Sequence, residues 1–266
     1  MTNQLNCSPR IVCLSHDSID MLIHLGMAHT VVGRPSGERR TDVRHAVPIG
    51  GYGSIRPEKI VSLQPDVVIA YSGFQTGLTG DLIDAGISVL TLSHRSINEI
   101  FQSLRLLGRL TDASERAARV IEEMCIHLKF FEERVAPLKK VRVYFEEWDD
   151  PMVVAPKWVS EMIHYAGGVD VFSDVSENSQ FAKRTIAVAD VMAANPEVIV
   201  ASWCGKPVQI EAIRQRAGFA DVPAVVEERV FEVAGALFLQ PGPAILKGIS
   251  DLYNLLHSDA SVIRHA

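Results

Sequence analysis

The sequence predicts an α/β protein of two lobes, each with a parallel sheet, joined by one long helix. Strand-like and helix-like segments alternate on both sides of residues 112–138, which is typical of parallel sheets covered on both faces. The segment 112–138 itself has no glycine or proline before Pro137. A short pattern around Pro65 recurs around Pro196. The predicted domains are an N-terminal lobe at residues 1–111, a linking helix at 112–138 and a C-terminal lobe at 139–266.

The linking helix is predicted by its start and by its apolar period. Asp112 and Glu115 have the spacing of a capping box, in which two side chains satisfy the first unpaired backbone N–H groups of a helix. Apolar residues recur every three or four positions, the period of one helix face, at Val120, Met124, Leu128 and Phe131. Such a helix spans roughly 35–40 Å at about 1.5 Å per residue. We therefore expect a rigid strut between the lobes.

A repeated pattern gives each lobe the same local unit. The first copy reads Ile60-Val-Ser-Leu-Gln-Pro-Asp-Val-Val-Ile-Ala70, and the second reads Val191-Met-Ala-Ala-Asn-Pro-Glu-Val-Ile-Val-Ala201. Each copy contains a helix end, a proline that stops the helix, an acidic residue and a buried strand. Two copies on either side of a long helix favour two similar lobes.

Ligand-binding residues are expected in the loops after the predicted strands, because open parallel sheets bind ligands beyond the carboxyl ends of their strands. Two lobes that face each other would place these loops around a shared cleft. The loops comprise residues 15–17, 50–54, 71–74, 146–157, 202–206 and 235–240. Their aromatic residues are Tyr52, Tyr71, Phe74, Trp148, Trp203 and Phe238. Aromatic side chains there present a large, rigid apolar surface to a flat ligand.

Composition and charge exclude several classes of protein. The 266 residues are 47% hydrophobic and 22% charged, an ordinary globular composition. A formal net charge of −6 argues against nucleic acid as a partner, because phosphate binding needs a clustered positive surface. No apolar run approaches the ~20 residues of a membrane span, so we expect no direct membrane insertion. The four cysteines form no CxxC pair and predict no zinc ribbon.

Short motifs follow one another in order along nearly the whole chain. In the first half they are Ile11-Val-Cys-Leu-Ser15, Arg56-Pro-Glu-Lys-Ile-Val-Ser-Leu-Gln-Pro-Asp-Val-Val-Ile-Ala70 and Asp84-Ala-Gly-Ile-Ser-Val-Leu90. In the second half they are Glu147-Trp-Asp-Asp-Pro-Met152, Trp158-Val-Ser-Glu-Met162, Ala166-Gly-Gly168, Pro196-Glu-Val-Ile-Val200, Phe219-Ala-Asp-Val-Pro-Ala-Val225, Arg229-Val-Phe231 and Pro241-Gly-Pro243. Together they resemble class III periplasmic substrate-binding proteins, which serve ABC importers for cobalamin, iron–siderophore complexes and haem. The second half is most similar to the cobalamin-binding branch.

The resemblance implies two Rossmann-like lobes, one interdomain helix, small lobe movements on binding and a monomer. It implies a solute-binding protein that holds cobalamin or a related corrinoid in the cleft between the lobes, with no resident cofactor or metal. It also implies an acidic residue on each lobe that meets arginines of a membrane permease. Glu58 matches that position in the N-terminal lobe, and Glu211 is the candidate in the C-terminal lobe. An ordinary solvated carboxylate is the alternative interpretation for both.

Two features depart from the family pattern. The first residues lack the basic start and the roughly 7–15-residue apolar core of a secretory signal. We therefore expect either a periplasmic protein whose leader lies outside this chain or a cytoplasmic protein. The segment 34–40 lacks the aromatic residue that cobalamin binders often place there. The ligand is thus left open between a corrinoid and another chelate.

The expected ligand contacts are Ser15, His16, Tyr52, Tyr71, Phe74, Trp148, Asp149, Arg184, Trp203, Cys204 and Phe238. Asp149 belongs to an acidic cluster that either holds amide or hydroxyl groups on the ligand's rim or is a solvated loop. Arg184 is a candidate for binding an anionic substituent. Cys204 is either a thiolate metal ligand or a small packing residue. Tyr52 and Tyr71 either coordinate iron or supply stacking and hydrogen bonds.

An enzyme is the main alternative class. His16, Asp17, His94 and Cys204 could form a metal site or a nucleophilic pair, and class II chelatases also fold as two α/β lobes. The sequence has no HxxEH-type spacing, no GxSxG elbow and no phosphate-binding glycine loop. We therefore expect no enzymatic activity and no catalytic residue. A siderophore- or haem-binding protein and a cytoplasmic corrinoid-handling or chelatase-like protein stay as alternatives.

Overall fold

Two compact units make up the protein. The computed structural model describes residues 8–51, 54–71 and 76–257. Its contacts divide the chain into Met1–His94 with Asn98–Glu123, and Arg95–Ile97 with Met124–Ala266. Each unit contains one five-stranded sheet, and parallel pairing predominates in both, which confirms the predicted α/β class. The finer division into residues 1–111, 112–138 and 139–266 stays a proposal.

The first unit contains an all-parallel sheet in the order β3-β2-β1-β4-β5. Its strands are β1 (Ile11–Cys13), β2 (Val31–Arg34), β3 (Val47–Pro48), β4 (Val67–Tyr71) and β5 (Val89–Leu92). The accompanying helices are α1 (His16–His24), α2 (Pro57–Ser62), α3 (Thr76–Asp84) and α4 (Ile97–Leu110). The central strands β1 and β4 have almost fully buried apolar side chains. Because they are parallel, the residues that follow them lie at the same edge of the sheet.

The long helix is α5 (Ser114–Val135), and the boundary between the units falls within it, after Glu123. The predicted apolar face is confirmed, since Val120, Met124, Leu128 and Phe131 are all buried. The predicted capping box is wrong. Asp112 has a positive φ of 56° and belongs to the turn that ends α4, so the helix begins two residues later. A residue in this left-handed conformation terminates the preceding helix and does not cap the next one.

The second unit contains a mixed sheet in the order β10-β9-β6-β7, with β8 also paired to β6. Its strands are β6 (Val141–Asp149), β7 (Met152–Val154), β8 (Gly168–Asp170), β9 (Val198–Ala201) and β10 (Val230–Glu232). Its helices are α6 (Lys157–Tyr165), α7 (Ser173–Ser176), α8 (Val188–Ala194), α9 (Ile210–Arg214), α10 (Pro223–Val226), α11 (Gly235–Phe238) and α12 (Ile245–His257). The antiparallel hairpin of β6 and β7 differs from the predicted all-parallel sheet. The chain reverses after Asp149, and β7 returns along β6 as a short edge strand.

The repeated sequence pattern is a repeated structural unit. Asp66 accepts the backbone N–H of Arg10 at 2.7 Å, and Glu197 accepts the backbone N–H of Arg142 at 2.9 Å. The side chain of Arg10 donates to the carbonyl oxygen of Leu63, just after α2. The side chain of Arg142 donates to the carbonyl oxygen of Ala194, the last residue of α8. The residues before the two prolines, Gln64 and Asn195, both have positive φ angles, of 47° and 48°. In each unit this arrangement fixes the entry of a central strand, β4 or β9.

Candidate functional site

Two tryptophans and an ion pair form a cluster in the second unit. The Trp148 cluster comprises Trp148, Asp149, Trp203 and Lys206. The ammonium of Lys206 lies 4.2 Å from the centre of the Trp148 ring and 4.8 Å from that of the Trp203 ring. Its Nζ donates to Asp149 Oδ1 at 2.6 Å. A cation held against two indole faces is attracted by the negative potential above each ring.

A β-bulge carries Trp148 and Asp149 to the end of β6. Glu146 pairs with Val154 and Trp148 pairs with Val153, so Glu147 is the extra residue between two register positions. A bulge of this kind bends a strand and changes the direction of the side chains beyond it. Trp148 and Asp149 are half-buried, whereas Glu146 is completely buried. The side chains before and after the bulge therefore lie in different environments.

Beneath the cluster, the carboxylate of Glu146 is saturated with hydrogen bonds. It accepts from Trp203 Nε1 at 3.1 Å, from Tyr144 Oη at 2.8 Å and from two nitrogens of Arg216 at 2.6 and 3.2 Å. Arg216 also lies against the ring of Phe219. Burial, reinforced by the charge of Glu146, raises the pKa of Tyr144, so its hydroxyl stays a donor.

A cavity of about 590 Å³ opens beside the cluster. It is formed by the loop after β9 and by the end of β10 with the residues that follow it, including Ser202, Trp203, Lys206, Glu232, Ala234 and Gly235. Four residues of the loop after β9 therefore line a cavity at the carboxyl end of their strand: Ser202, Trp203, Gly205 and Lys206. That this loop binds a ligand stays a prediction.

Arg184 is buried and pairs with Glu147. One nitrogen of its guanidinium donates to the Glu147 carboxylate and to the carbonyl oxygen of Val154. Burial raises the pKa of Glu147, while the charge and hydrogen bond of Arg184 oppose that rise. The expectation that Arg184 binds an anionic substituent is corrected. Only 5% of its surface is exposed, and its guanidinium compensates the charge of Glu147, the extra residue of the bulge.

Cys204 and Phe238 differ in their exposure. Cys204 is exposed, and desolvation together with the nearby charge of Glu147 raises the pKa of its thiol. A raised pKa disfavours the thiolate form that binds metals. Phe238 is 1% exposed, stacks against Phe145, and its carbonyl oxygen accepts from Trp158 Nε1 at 2.7 Å. The expectation that the Phe238 ring forms part of a ligand surface is corrected, because the ring belongs to the core.

In the first unit, Ser15 and His16 are at the start of α1, directly after β1. Ser15 is buried, and its Oγ lies 3.2 Å from Ser18 Oγ. His16 Nδ1 donates to Glu38 Oε2 at 2.8 Å. Burial disfavours the ionised form of Glu38, but hydrogen bonds from His16 and the backbone of Arg40, with the arginine's charge, outweigh it. The net effect lowers the pKa of Glu38 to about 2.

Tyr71 ends β4 and lies against a buried histidine. Its ring centre is 5.1 Å from that of His94. His94 Nδ1 is 3.1 Å from Ser103 Oγ, and its Nε2 is 2.8 Å from Asp17 Oδ2. Thus Asp17 and His94, considered for metal or nucleophile chemistry, form a buried polar pair beneath Tyr71. The predicted contacts Tyr52 and Phe74 lie outside the described residues.

A family model described as periplasmic binding protein matches residues 11–236. The chain belongs to the periplasmic binding protein family. The match spans most of the chain and includes both sheets, which confirms the resemblance found in the sequence motifs.

Proteins similar to this periplasmic binding protein differ in the function that their names state. An uncharacterized ABC transporter substrate-binding lipoprotein of Bacillus subtilis, YvrC, is 26% identical over 266 residues, covering 94% of this chain and 80% of that protein. A cobalamin-binding protein of Halobacterium salinarum is 23% identical over 262 residues, covering 94% and 69%. The structure of the periplasmic heme-binding protein RhuT from Roseiflexus sp. RS-1 in apo form has a TM-score of 0.79 and 23% identity, covering 94% of this chain and 98% of that chain. That likeness shows a shared fold.

The two acidic residues considered for docking in this periplasmic binding protein are both on the surface. Glu58 lies in the first turn of α2, beside a cavity of about 480 Å³ that Arg56 and Lys59 also line. Glu211 lies in the first turn of α9 and pairs with Arg214 at 2.9 Å, with 69% of its side chain exposed. Both carboxylates are exposed and therefore accessible to a partner. The exposed Glu211–Arg214 pair contributes little to stability.

Among the described residues of this periplasmic binding protein, no three His, Cys, Asp or Glu side chains are grouped to hold a metal ion. No helix in the described ranges has the length and apolarity needed to cross a bilayer.

Sequence reasoning did not identify Lys206 or Arg216 as site residues. The sequence signal for Lys206 was its place three residues after Trp203 in a strand-end loop, whereas nothing local marked Arg216.

Proposed function

We propose that this chain is the substrate-binding component of an ABC importer and that it binds cobalamin or a related corrinoid. The observation that carries the proposal is the half-buried indole of Trp148 at the end of β6, which lies against Lys206, a residue that lines the cavity of about 590 Å³. The Bacillus subtilis relative is named as an ABC transporter substrate-binding lipoprotein and the Halobacterium salinarum relative as a cobalamin-binding protein, and both names support the proposal. A binding protein needs complementary shape and polarity at this site and no reacting group.

The chemistry of the Trp148 cluster suits a flat metal chelate with a polar rim. An indole ring supplies apolar area with little conformational freedom to lose, so it stacks well on the face of a macrocycle. Asp149 beside it is an acceptor for the N–H groups of amides at the rim of a corrin. For a ligand to cover the face of Trp148, the ammonium of Lys206 has to move from that face.

Haem, bound by another member of the same fold, is the second candidate, and Lys206 is the observation that favours it. Nζ of Lys206 has three N–H groups, and within the described part of the chain one of them donates, to Asp149. The other N–H groups could pair with the carboxylates of haem. Tyr71, which ends β4, stays the candidate iron ligand that the sequence indicated.

Delivery of the ligand requires a permease, and we propose Glu58 and Glu211 as its contacts. Both carboxylates are exposed, and each lies on the first turn of a helix that follows a predicted ligand loop. Arginines of a permease would form charge-assisted pairs with them.

We propose a periplasmic location and a monomer for this component. A ligand position between the two lobes stays a prediction from the sequence.

The proposal is tested by titrating the protein with cyanocobalamin, cobinamide, haem and a ferric siderophore, followed by visible absorbance and calorimetry. Binding of cyanocobalamin or cobinamide in preference to the other two supports the corrinoid assignment, and preference for haem selects the second candidate. Trp148→Ala should weaken binding about tenfold or more through the loss of a stacked aromatic ring. Phe130→Ala is the matched control, because Phe130 is an exposed aromatic residue on α5. If none of the four chelates binds, the proposed function is wrong.

A further inference from the structure

We propose that Glu146 is a positioning residue of the ligand site, acting through the indole of Trp203. This inference rests on the proposed function, because it assigns a role in binding to a side chain that a ligand would not touch. Glu146 is completely buried, and Trp203 is 6% exposed where it lines the cavity of about 590 Å³.

The first step is the cost of burying the charge. An ionised carboxylate is stable inside a protein only when it is paired and hydrogen-bonded. Both oxygens of Glu146 meet this condition: Oε1 accepts from Trp203 and Arg216, and Oε2 accepts from Tyr144 and Arg216. The three donor residues fix the carboxylate in position and orientation.

The second step is what this carboxylate holds in place. The main-chain oxygen of Glu146 accepts from the backbone N–H of Ser202 at 3.0 Å, and its side chain accepts from the indole N–H of the next residue, Trp203. Glu146 of β6 therefore accepts hydrogen bonds from both the backbone and a side chain of the loop after β9. The ammonium of Lys206 lies 4.8 Å from the centre of the Trp203 ring and 4.2 Å from the centre of the Trp148 ring.

The third step compares the charged arrangement with an apolar one. Replacing a buried ion pair with apolar residues of similar volume is often neutral or stabilising. Such a replacement would fill the space but would leave the Trp203 N–H without an acceptor and the ring without a fixed orientation. The hydrogen-bonded carboxylate is therefore better explained by orientation of the indole than by stability alone.

The test is a double-mutant cycle on affinity for whichever chelate the wild type binds. Glu146→Gln keeps the shape of the side chain and removes its charge, and we expect it to weaken binding about tenfold. In a Trp203→Phe background, which has no indole N–H, the same change should alter affinity less than about twofold. Equal losses in both backgrounds, or no loss in either, would overturn the inference. Glu197→Gln is the control, because Glu197 binds Lys139 and Arg142 at the start of β9 and should leave affinity unchanged.

A second readout does not depend on any ligand. In the wild type the indole N–H of Trp203 should give a downfield, slowly exchanging NMR signal, and Glu146→Gln should shift it and speed its exchange; an unchanged signal contradicts the inference even if no chelate binds. Should Glu146→Gln fail to fold, Trp203→benzothienylalanine keeps a bicyclic ring without the N–H. That variant should fold normally and weaken binding about threefold or more; unchanged affinity in this case also overturns the inference.

Discussion

Lys206 donates a hydrogen bond to Asp149 over 2.6 Å, and this ion pair holds the lysine ammonium 4.2 Å from the centre of the Trp148 ring. Partial burial disfavours the ionised form of Asp149, but the hydrogen bond and charge of Lys206 outweigh it and lower the pKa of that carboxyl. The lysine therefore covers the aromatic surface that we propose for ligand stacking.

Lys206→Met keeps most of the side chain's length and removes its charge. A corrinoid, whose rim carries mainly neutral amides, should bind the variant about two- to fivefold more tightly, because no cation has to leave the Trp148 ring. Haem should instead bind more weakly, because its carboxylates lose a partner. Calorimetric titration of both chelates measures the two changes. Weaker corrinoid binding would show that the ammonium contacts the ligand directly.

Arg184→Met should destabilise the protein by about 3–5 kcal/mol, because it leaves the largely buried Glu147 without its compensating charge. The free energy of unfolding in urea measures this loss. Adding Glu147→Gln should recover much of it, since the double variant has no unpaired charge. A double variant no more stable than Arg184→Met would contradict the pairing.

The free energy of unfolding of Arg184→Met should change with pH in a direction that follows from the pKa of Glu147. Burial raises the pKa of Glu147, and removing Arg184 raises it further, because the arginine opposes that rise. Above the unfolded pKa of 4.5 the folded state then retains a proton that the unfolded state releases. Its free energy of unfolding should therefore increase as pH falls from about 7.5 to about 5.5, relative to wild type. Urea denaturation at both values checks the sign.

Glu38 should make the first unit acid-sensitive. Its pKa is lowered from 4.5 to about 2, so its contribution to stability is fully present above 4.5 and is lost as pH falls toward about 2. That shift corresponds to about 3 kcal/mol for this buried side chain. Glu38→Gln should remove the dependence. The wild-type advantage over the variant, measured in urea, should shrink across that interval; a constant difference would contradict the assignment.

Glu58→Ala and Glu211→Ala should act on transport and not on binding. Each should change the free energy of unfolding by less than about 0.5 kcal/mol, because both carboxylates are exposed. Ligand affinity should stay unchanged, while stimulation of ATP hydrolysis by the reconstituted permease and ATPase should fall severalfold. Glu115→Ala is the control, since its side chain is 95% exposed on α5. Unchanged stimulation by both variants would remove these residues as docking contacts.

The sequence by itself determined the architecture, because strands and helices leave periods and stop signals that are local. The prolines at 65 and 196 predicted two equivalent strand entries, and the structure adds the reason: each following acid accepts a backbone N–H from a neighbouring strand segment. The apolar period of α5 likewise predicted its buried face. The start of α5 was predicted wrongly, because Asp112 belongs to the turn that ends α4 and does not cap α5. The positive φ of Asp112, which shows this, is a property of the folded turn.

Only the tertiary structure decided which polar residues meet. Lys206 pairs with Asp149 across 57 positions, and Arg216 pairs with Glu146 across 70. Those pairs depend on the adjacency of β6 and β9 and on a bulge at Glu147, and neither leaves a periodic signal in the sequence. The same packing places Phe238 in the core and Arg184 under the bulge, although both follow loop-like stretches of sequence. Local patterns determine elements, whereas long-range packing determines which side chains of those elements form a site.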